Sequence, residues 1–111
     1  MDLHALLGAY TDALNRLDMD AAEAMFAEDA IYASPGLPHE MRGRTEIMAA
    51  FRAYFRDHND QVSEDHEIKM TGPRVIENRW SLRSQGRERR GWQRIEFNPA
   101  GRITRIDVKD D

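Results

Sequence analysis

Ile76-Glu77-Asn78-Arg79-Trp80-Ser81-Leu82-Arg83 is the stretch that decides the fold. Ile76, Asn78, Trp80 and Leu82 alternate with Glu77, Arg79, Ser81 and Arg83, the period-two pattern of a half-buried antiparallel strand. Ser84-Gln85-Gly86 turns the chain, and the next segment sets Gly91, Gln93, Ile95 and Phe97 on one face. Arg90, Trp92, Arg94 and Glu96 fall on the other. Asn98-Pro99-Ala100-Gly101 makes another hairpin, after which Ile103–Lys109 closes the sheet with Thr104, Ile106 and Val108 inward. Upstream, residues 62–72 read as one more strand, ended by Gly72-Pro73.

The N-terminal half follows the helical period instead. Leu3, Leu6, Leu7, Tyr10, Leu14 and Leu17 form one apolar stripe. A short second helix is expected from near Asp20, with Glu23 three residues on as a capping box, and carries Met25 and Phe26. Ala30–Ser34 reads as a short strand stopped by Pro35-Gly36 and Pro38. Thr45 is placed to cap a third helix whose inner stripe is Ile47, Met48, Phe51, Tyr54 and Phe55. Helices first and an antiparallel meander afterwards define an α+β domain, a bent sheet covered by three helices with a pocket between the layers.

A length of 111 residues suits a single domain over 1–111. No cysteine is present, which excludes disulfides, thiolate metal sites and a thiol nucleophile. No apolar run approaches the ~20 residues that span a bilayer. The first residues carry an acid where a signal peptide carries lysine or arginine, so the expected location is cytoplasmic. The formal charge of -4 conceals an asymmetry: residues 1–70 sum to -8 and residues 71–111 to +4. Arg83, Arg87, Arg89, Arg90 and Arg94 supply that excess. Only Trp92 interleaves with them, and they read as a solvated face rather than a nucleic-acid surface.

Three polar side chains interrupt the apolar inner faces. Tyr10 lies within the leucine stripe, Gln93 between Gly91 and Ile95, and Ser34 on the face of Tyr32 just before Pro35. Burying such a group unpaired costs on the order of 1–3 kcal/mol, so each needs a partner, a water or a ligand. His66 shares the parity of Val62, Ile68 and Met70 and is the inward histidine candidate. The four histidines lack zinc-ligand spacing and the glycines form no phosphate loop. Glu64 and Asp65 are adjacent on a strand and therefore face opposite sides.

Tyr10-Thr11-Asp12-Ala13-Leu14-Asn15, Leu17-Asp18-Met19-Asp20, Met25-Phe26-Ala27-Glu28-Asp29-Ala30, Pro35, Gly43 and the Phe97–Ile103 hairpin follow one familiar order and spacing. They resemble the ketosteroid isomerases of the nuclear transport factor 2-like superfamily, which also holds the SnoaL-like polyketide cyclases. The resemblance covers nearly the whole chain. It implies a cone formed by a bent sheet wrapped by three helices, commonly paired into dimers through the sheet. By the same resemblance, Tyr10 falls on the tyrosine that donates to the developing oxyanion. Gln93 falls on a protonated aspartic acid, the second donor, a role the glutamine amide can fill without a raised pKa. Ser34 occupies the position of the aspartate that moves the proton, which argues against steroid isomerisation by the family mechanism.

The resulting expectation is a pocket lined by Tyr32, Phe51, Phe55, Trp80, Ile95, Phe97 and Ile106 that takes a small hydrophobic carbonyl compound. Tyr10 and Gln93 donate to its oxygen, Ser34 orients a water or substrate group, and His66 is the candidate base. Proton transfer, isomerisation or cyclisation follows, with no cofactor and no metal implied. Two alternatives stand beside this: a non-catalytic binding module, and a homodimerisation domain with a vestigial pocket. The sheet face bearing Trp92, Arg79, Arg83 and Arg94 is the expected dimer interface.

Overall fold

The computed structural model describes all 111 residues. Helix α1 (Leu3–Asn15) is capped by Asp2, whose side chain accepts from the Ala5 N–H. Helix α2 (Met19–Ala24) is capped by Asp18, accepting from Ala21, two residues earlier than the expected Asp20 start. Strand β1 (Phe26–Ala33) begins four residues before the predicted Ala30, and a two-residue β2 (Met41–Arg42) precedes α3 (Arg44–Asp57). Gly43, at φ 93°, sits at the α3 N-cap in place of Thr45. Strands β3 (Val62–Gly72), β4 (Val75–Ser84), β5 (Arg87–Phe97) and β6 (Ile103–Asp110) form the predicted meander.

The six strands make one open, curved sheet in the order β2-β1-β6-β5-β4-β3, antiparallel except for the β1–β6 pair. Helix α1 lies against β3 and β4, and α3 against β1 and β2. Between helices and sheet, the closed end of the cone is packed by Leu3, Leu7, Phe26, Ile47, Met48, Ile76, Ile95, Ile103 and Ile106, each at most 1% exposed. Side chains of this size contribute about 1.5–3 kcal/mol each when fully buried. No helix is long and apolar enough to cross a membrane.

Two irregularities shift the side-chain parity. At Glu67 (φ 48°) β3 bulges, and the pairing of His66 with Arg79 jumps to Lys69 with Glu77. Ser63 and Asp65 therefore share the inner face with Ile68, whereas His66 turns outward. A second register shift, between Glu96 and Phe97, leaves Thr104 outside the pairing. Its hydroxyl donates to the Glu96 carbonyl at 3.2 Å, and Ile103 takes the buried place expected of it.

Polar side chains also fasten α1 to the edge strand. Asn15 Nδ2 donates to the Ser63 carbonyl at 2.9 Å and Asn15 Oδ1 accepts from the Ser63 N–H at 2.8 Å. One helical turn earlier, Thr11 Oγ1 donates to Asp65 Oδ2 at 2.6 Å. An i,i+4 pair on the helix thus meets a j,j+2 pair on the strand, as the two periodicities require.

Gly91 has a packing reason to be glycine. Trp80 pairs with it across β4 and β5, and a Cβ there would collide with the Lys109 carbonyl oxygen and the Trp80 indole. Gly91→Ala is expected to cost about 3 kcal/mol or more, because the closest clash is with the backbone of the neighbouring strand. It should also move the Trp80 emission, read in a Trp92→Phe background by urea denaturation followed by fluorescence. Unchanged stability and spectrum would show that the indole does not lie over this strand.

Candidate active site

A cavity of about 340 Å³ opens between α1, α3, the segment after β1 and the inner face of β3–β6. Its apolar wall is an edge-to-face series of rings. Phe51 contacts Tyr32 at 5.2 Å and Phe55 at 6.3 Å, and Tyr54 contacts Phe55 at 5.1 Å between centroids. Phe26, behind them, joins Phe51 to Tyr10. Such contacts fix ring orientation at about 0.5–1.5 kcal/mol per pair.

The polar wall is a continuous hydrogen-bonded chain. Thr11 donates to Asp65 Oδ2, Asn78 Nδ2 donates to Asp65 Oδ1 at 3.0 Å, and Gln93 Nε2 donates to Asn78 Oδ1 at 3.1 Å. Asn78 Nδ2 also reaches the Arg79 carbonyl at 2.7 Å. Nearer the mouth, Tyr54 donates to Gln61 Oε1 at 2.5 Å and Gln61 Nε2 to Ser63 Oγ at 3.2 Å. Gln61, Asn78 and Gln93 are all buried, and every one has a partner. The exception is the Trp80 indole N–H, buried with none.

The hydroxyls of Tyr10 and Tyr32 line the cavity without a hydrogen-bond partner in the protein, and each is free to donate to a ligand. Burial first, then the neighbouring Tyr32 and Asp65, hold the Tyr10 phenol well above its ordinary pKa. Burial likewise pushes Tyr32 up to about 12, reinforced by Tyr54 and opposed by the Arg89 charge. Both remain protonated donors at neutral pH. Asp65 moves in the direction a base near neutrality needs: burial raises its pKa, partly offset by the Thr11 and Asn78 hydrogen bonds and by His66.

Tyr10, Gln93 and Ser34 all line this one cavity, as do Tyr32, Phe51, Phe55 and Trp80. Ile95, Phe97 and Ile106 do not. They are at most 4% exposed in the closed end of the core, beneath the cavity floor. His66 is on the opposite face of the sheet, half exposed, with Nε2 2.9 Å from Ser81 Oγ. The bulge at Glu67 explains the correction. Counting back by twos from Ile68 and Met70 passes through the extra residue and assigns the inner face to His66 rather than Asp65.

Sequence reasoning missed Asp65, Asn78, Thr11 and Arg89. Asn78 was on the inner parity of its strand, and an inward asparagine across from an inward glutamine is a detectable signal. Arg89 also had inner parity, two residues before Gly91. It lines the cavity with its guanidinium 6.0 Å from the Trp80 ring. Asp65 had no such signal without knowledge of the bulge.

A bent sheet with helices on its inner face, enclosing an aromatic cavity with unpartnered phenols and one partly buried carboxylate, defines a cone-shaped pocket domain. The sequence matches the SnoaL-like domain over residues 7–106, and the chain belongs to that family. Solved structures agree on the fold. A proposed ketosteroid isomerase from Kribbella flavida superposes with a TM-score of 0.83 at 21% identity, covering 96% of this chain and 76% of that one. A proposed polyketide cyclase from Sinorhizobium meliloti gives 0.81 at 22% identity, covering 94% and 93%. A Mycobacterium tuberculosis protein solved in complex with estradiol-17beta-hemisuccinate gives 0.82 at 19% identity, covering 94% and 89%. A search of the curated proteins finds no match.

The raised Asp65 pKa has a consequence for stability. The native state holds this proton more tightly than the unfolded chain, so the contribution is fully present below the ordinary carboxylate value of 3.8. It is lost as pH rises through the raised native value. Asp65→Asn keeps both contacts, since the amide oxygen accepts from Asn78 while its nitrogen donates to Thr11. The variant is expected to be more stable than the parent at pH 7, read as a higher Tm. The gain should vanish at pH 3. Calorimetry at both pH values checks it, and a Tm loss at pH 7 would show that the ionised carboxylate is net stabilising.

Proposed function

We propose that this domain binds a small, flat, hydrophobic carbonyl compound and moves a proton on it, with Asp65 as the base. The observation that carries this reading is one cavity holding a carboxylate of raised pKa together with an unpartnered, protonated tyrosine. The Asp65 carboxylate takes a proton from the carbon beside the carbonyl. The electron pair of that C–H bond moves to the carbonyl oxygen, where the Tyr10 hydroxyl donates to the developing negative charge. Gln93 spends one amide N–H on Asn78 and has a second for the same oxygen. Return of the proton from Asp65 to another carbon gives an isomer; attack by the enolate carbon on an electrophile within the same molecule closes a ring.

Ser34, on the opposite side of the cavity, orients the substrate rather than its proton. The aromatic wall suits a flat ligand, and a neighbour of the same fold is solved with a steroid derivative. The resemblance to the isomerases supplies the two donors at Tyr10 and Gln93 but no base at Ser34. That absence favours one rival, a pocket that binds such compounds without turnover.

Deuterium incorporation into 2-tetralone in D2O, followed by NMR, tests the proposal. The parent protein is expected to accelerate exchange, with a rate that rises with pH to a plateau and a midpoint above the ordinary carboxylate range. Tyr10→Phe should lower the rate roughly 100- to 1,000-fold. Asp65→Asn should lower it by about 100-fold or more. A parallel titration with phenols of graded acidity separates the rival. Tyr10-dependent phenol binding with no exchange above the solvent rate would make this a binding module.

The outer face of the sheet supports a second copy as partner. Trp92 lies there half-buried, with the Lys109 ammonium 5.0 Å from its ring. Around it Arg79 pairs with Asp111 and Arg94 with Glu96, a rim of compensated charge about an aromatic centre. Light scattering is expected to give twice the chain mass for the parent and the single mass for Trp92→Glu. A monomeric parent would remove this proposal and leave the cavity chemistry untouched.

A further inference from the structure

Asp65 and Arg89 are the only charged residues among those lining the cavity, and they have opposite signs. The sheet register separates them. Asp65 is level with Trp80 and Gly91, and Arg89 pairs with Leu82 one inward row nearer the mouth, two strands away. At about 4.8 Å between strands and 3.4 Å per residue, their Cα positions are roughly 12 Å apart. The cavity is thus charged at two separated points with the Trp80 indole between them.

The Arg89 guanidinium is only partly used by the protein. Nη2 alone donates to both oxygens of Asp110, at 2.9 and 3.0 Å, leaving Nε and Nη1 without an acceptor. A guanidinium has five N–H donors in a flat fork suited to a carboxylate, so an unfilled edge remains. Its charge reaches inward, lowering the pKa values of both Tyr32 and Tyr54 against the effect of burial. Asp110 is itself 41% exposed and does not line the cavity. It balances the charge of Arg89 through Nη2 alone and leaves the Nε and Nη1 donors unpaired.

Resting on the cavity reading above, we propose that the ligand is a carboxylate-bearing aromatic or alicyclic carbonyl compound. Its carboxylate is held by Arg89 at the mouth and its carbonyl lies between Tyr10 and Asp65. Arg89 is a specificity-determining residue, and Asp110 is a competing counter-ion whose negative charge weakens the attraction of Arg89 for a ligand carboxylate. The site selects for a separation between the two polar ends that matches about two fused rings. An amide of the same shape offers Arg89 one acceptor oxygen in place of two and brings no negative charge.

Isothermal titration calorimetry with three probes tests this: 2-naphthol, 6-hydroxy-2-naphthoate and 6-hydroxy-2-naphthamide. The carboxylate is expected to bind at least fivefold tighter than the amide at low salt, with a gap that narrows as sodium chloride is added. In Arg89→Gln the ratio should fall to one, and in Asp110→Asn it should widen. Equal binding of carboxylate and amide, with naphthol still bound, overturns the carboxylate proposal alone. A gap that survives Arg89→Gln also overturns it. Failure of all three probes to bind a folded parent overturns both this proposal and the cavity reading. Circular dichroism of each variant separates lost folding from lost recognition.

Discussion

The hydrogen bond from Thr11 to Asp65 is the contact on which cavity and chemistry both depend. It lies one turn from the reciprocal pair between Asn15 and Ser63, and together they hold α1 on the edge strand by side chains on one helix stripe. An edge strand exposes unpaired backbone groups, and Asn15 satisfies two of them while setting the helix register. That register decides where Tyr10 points. Slide α1 by one residue and the phenol leaves the cavity, Thr11 loses its acceptor, and Asp65 is left in a low-dielectric site with one hydrogen bond fewer.

A buried carboxylate is unfavourable unless its neighbours compensate, and here they do so only in part. Thr11 and Asn78 each occupy one oxygen, Gln93 holds Asn78 in place, and desolvation still prevails over these contacts in setting the pKa. The chain of amides therefore fixes geometry more than it satisfies charge. Every rotor behind the acid is tied: Asn78 by the Arg79 carbonyl and Gln93 by Asn78. A preorganised, incompletely stabilised carboxylate is what the proposed proton abstraction asks for.

Most of the architecture was legible because its elements obey one period each. The leucine stripe, the α3 stripe and the alternation in β4 and β5 put Tyr10, Phe51, Phe55, Trp80 and Gln93 where the structure has them. The errors have one physical origin. Period-two counting holds only within an unbroken ladder, and β3 contains an extra residue at Glu67 in a left-handed conformation that nothing local in Asp65-His66-Glu67 announces. His66 and Asp65 exchanged faces on that account. The depth of the pocket was misjudged for a different reason. Ile95, Phe97 and Ile106 have the right parity, but parity gives a face and not a level along the strand, and these three lie below the floor.

With Asp65 on β3 as the proposed base, a substrate must lie differently from one in the isomerase arrangement. In the isomerase arrangement implied by the resemblance, the base sits at the end of β1, where this chain has Ser34. The sheet order puts β1 and β3 on opposite sides of β6, β5 and β4, so Ser34 and Asp65 face each other across the cavity. Tyr10 is common to both arrangements, and it sits beside the very residue that holds Asp65. A carbonyl oxygen at Tyr10 then presents its reactive carbon toward β3, and the apolar body turns toward Tyr32, Leu37 and Phe51 near β1. One oxyanion donor on α1 serves either orientation, because donation to an oxygen does not specify which neighbouring carbon loses its proton. On the proposed reading, the cone fold keeps its donor and its aromatic wall while the base changes strand, and the serine at the β1 end is a point of contact for the ligand.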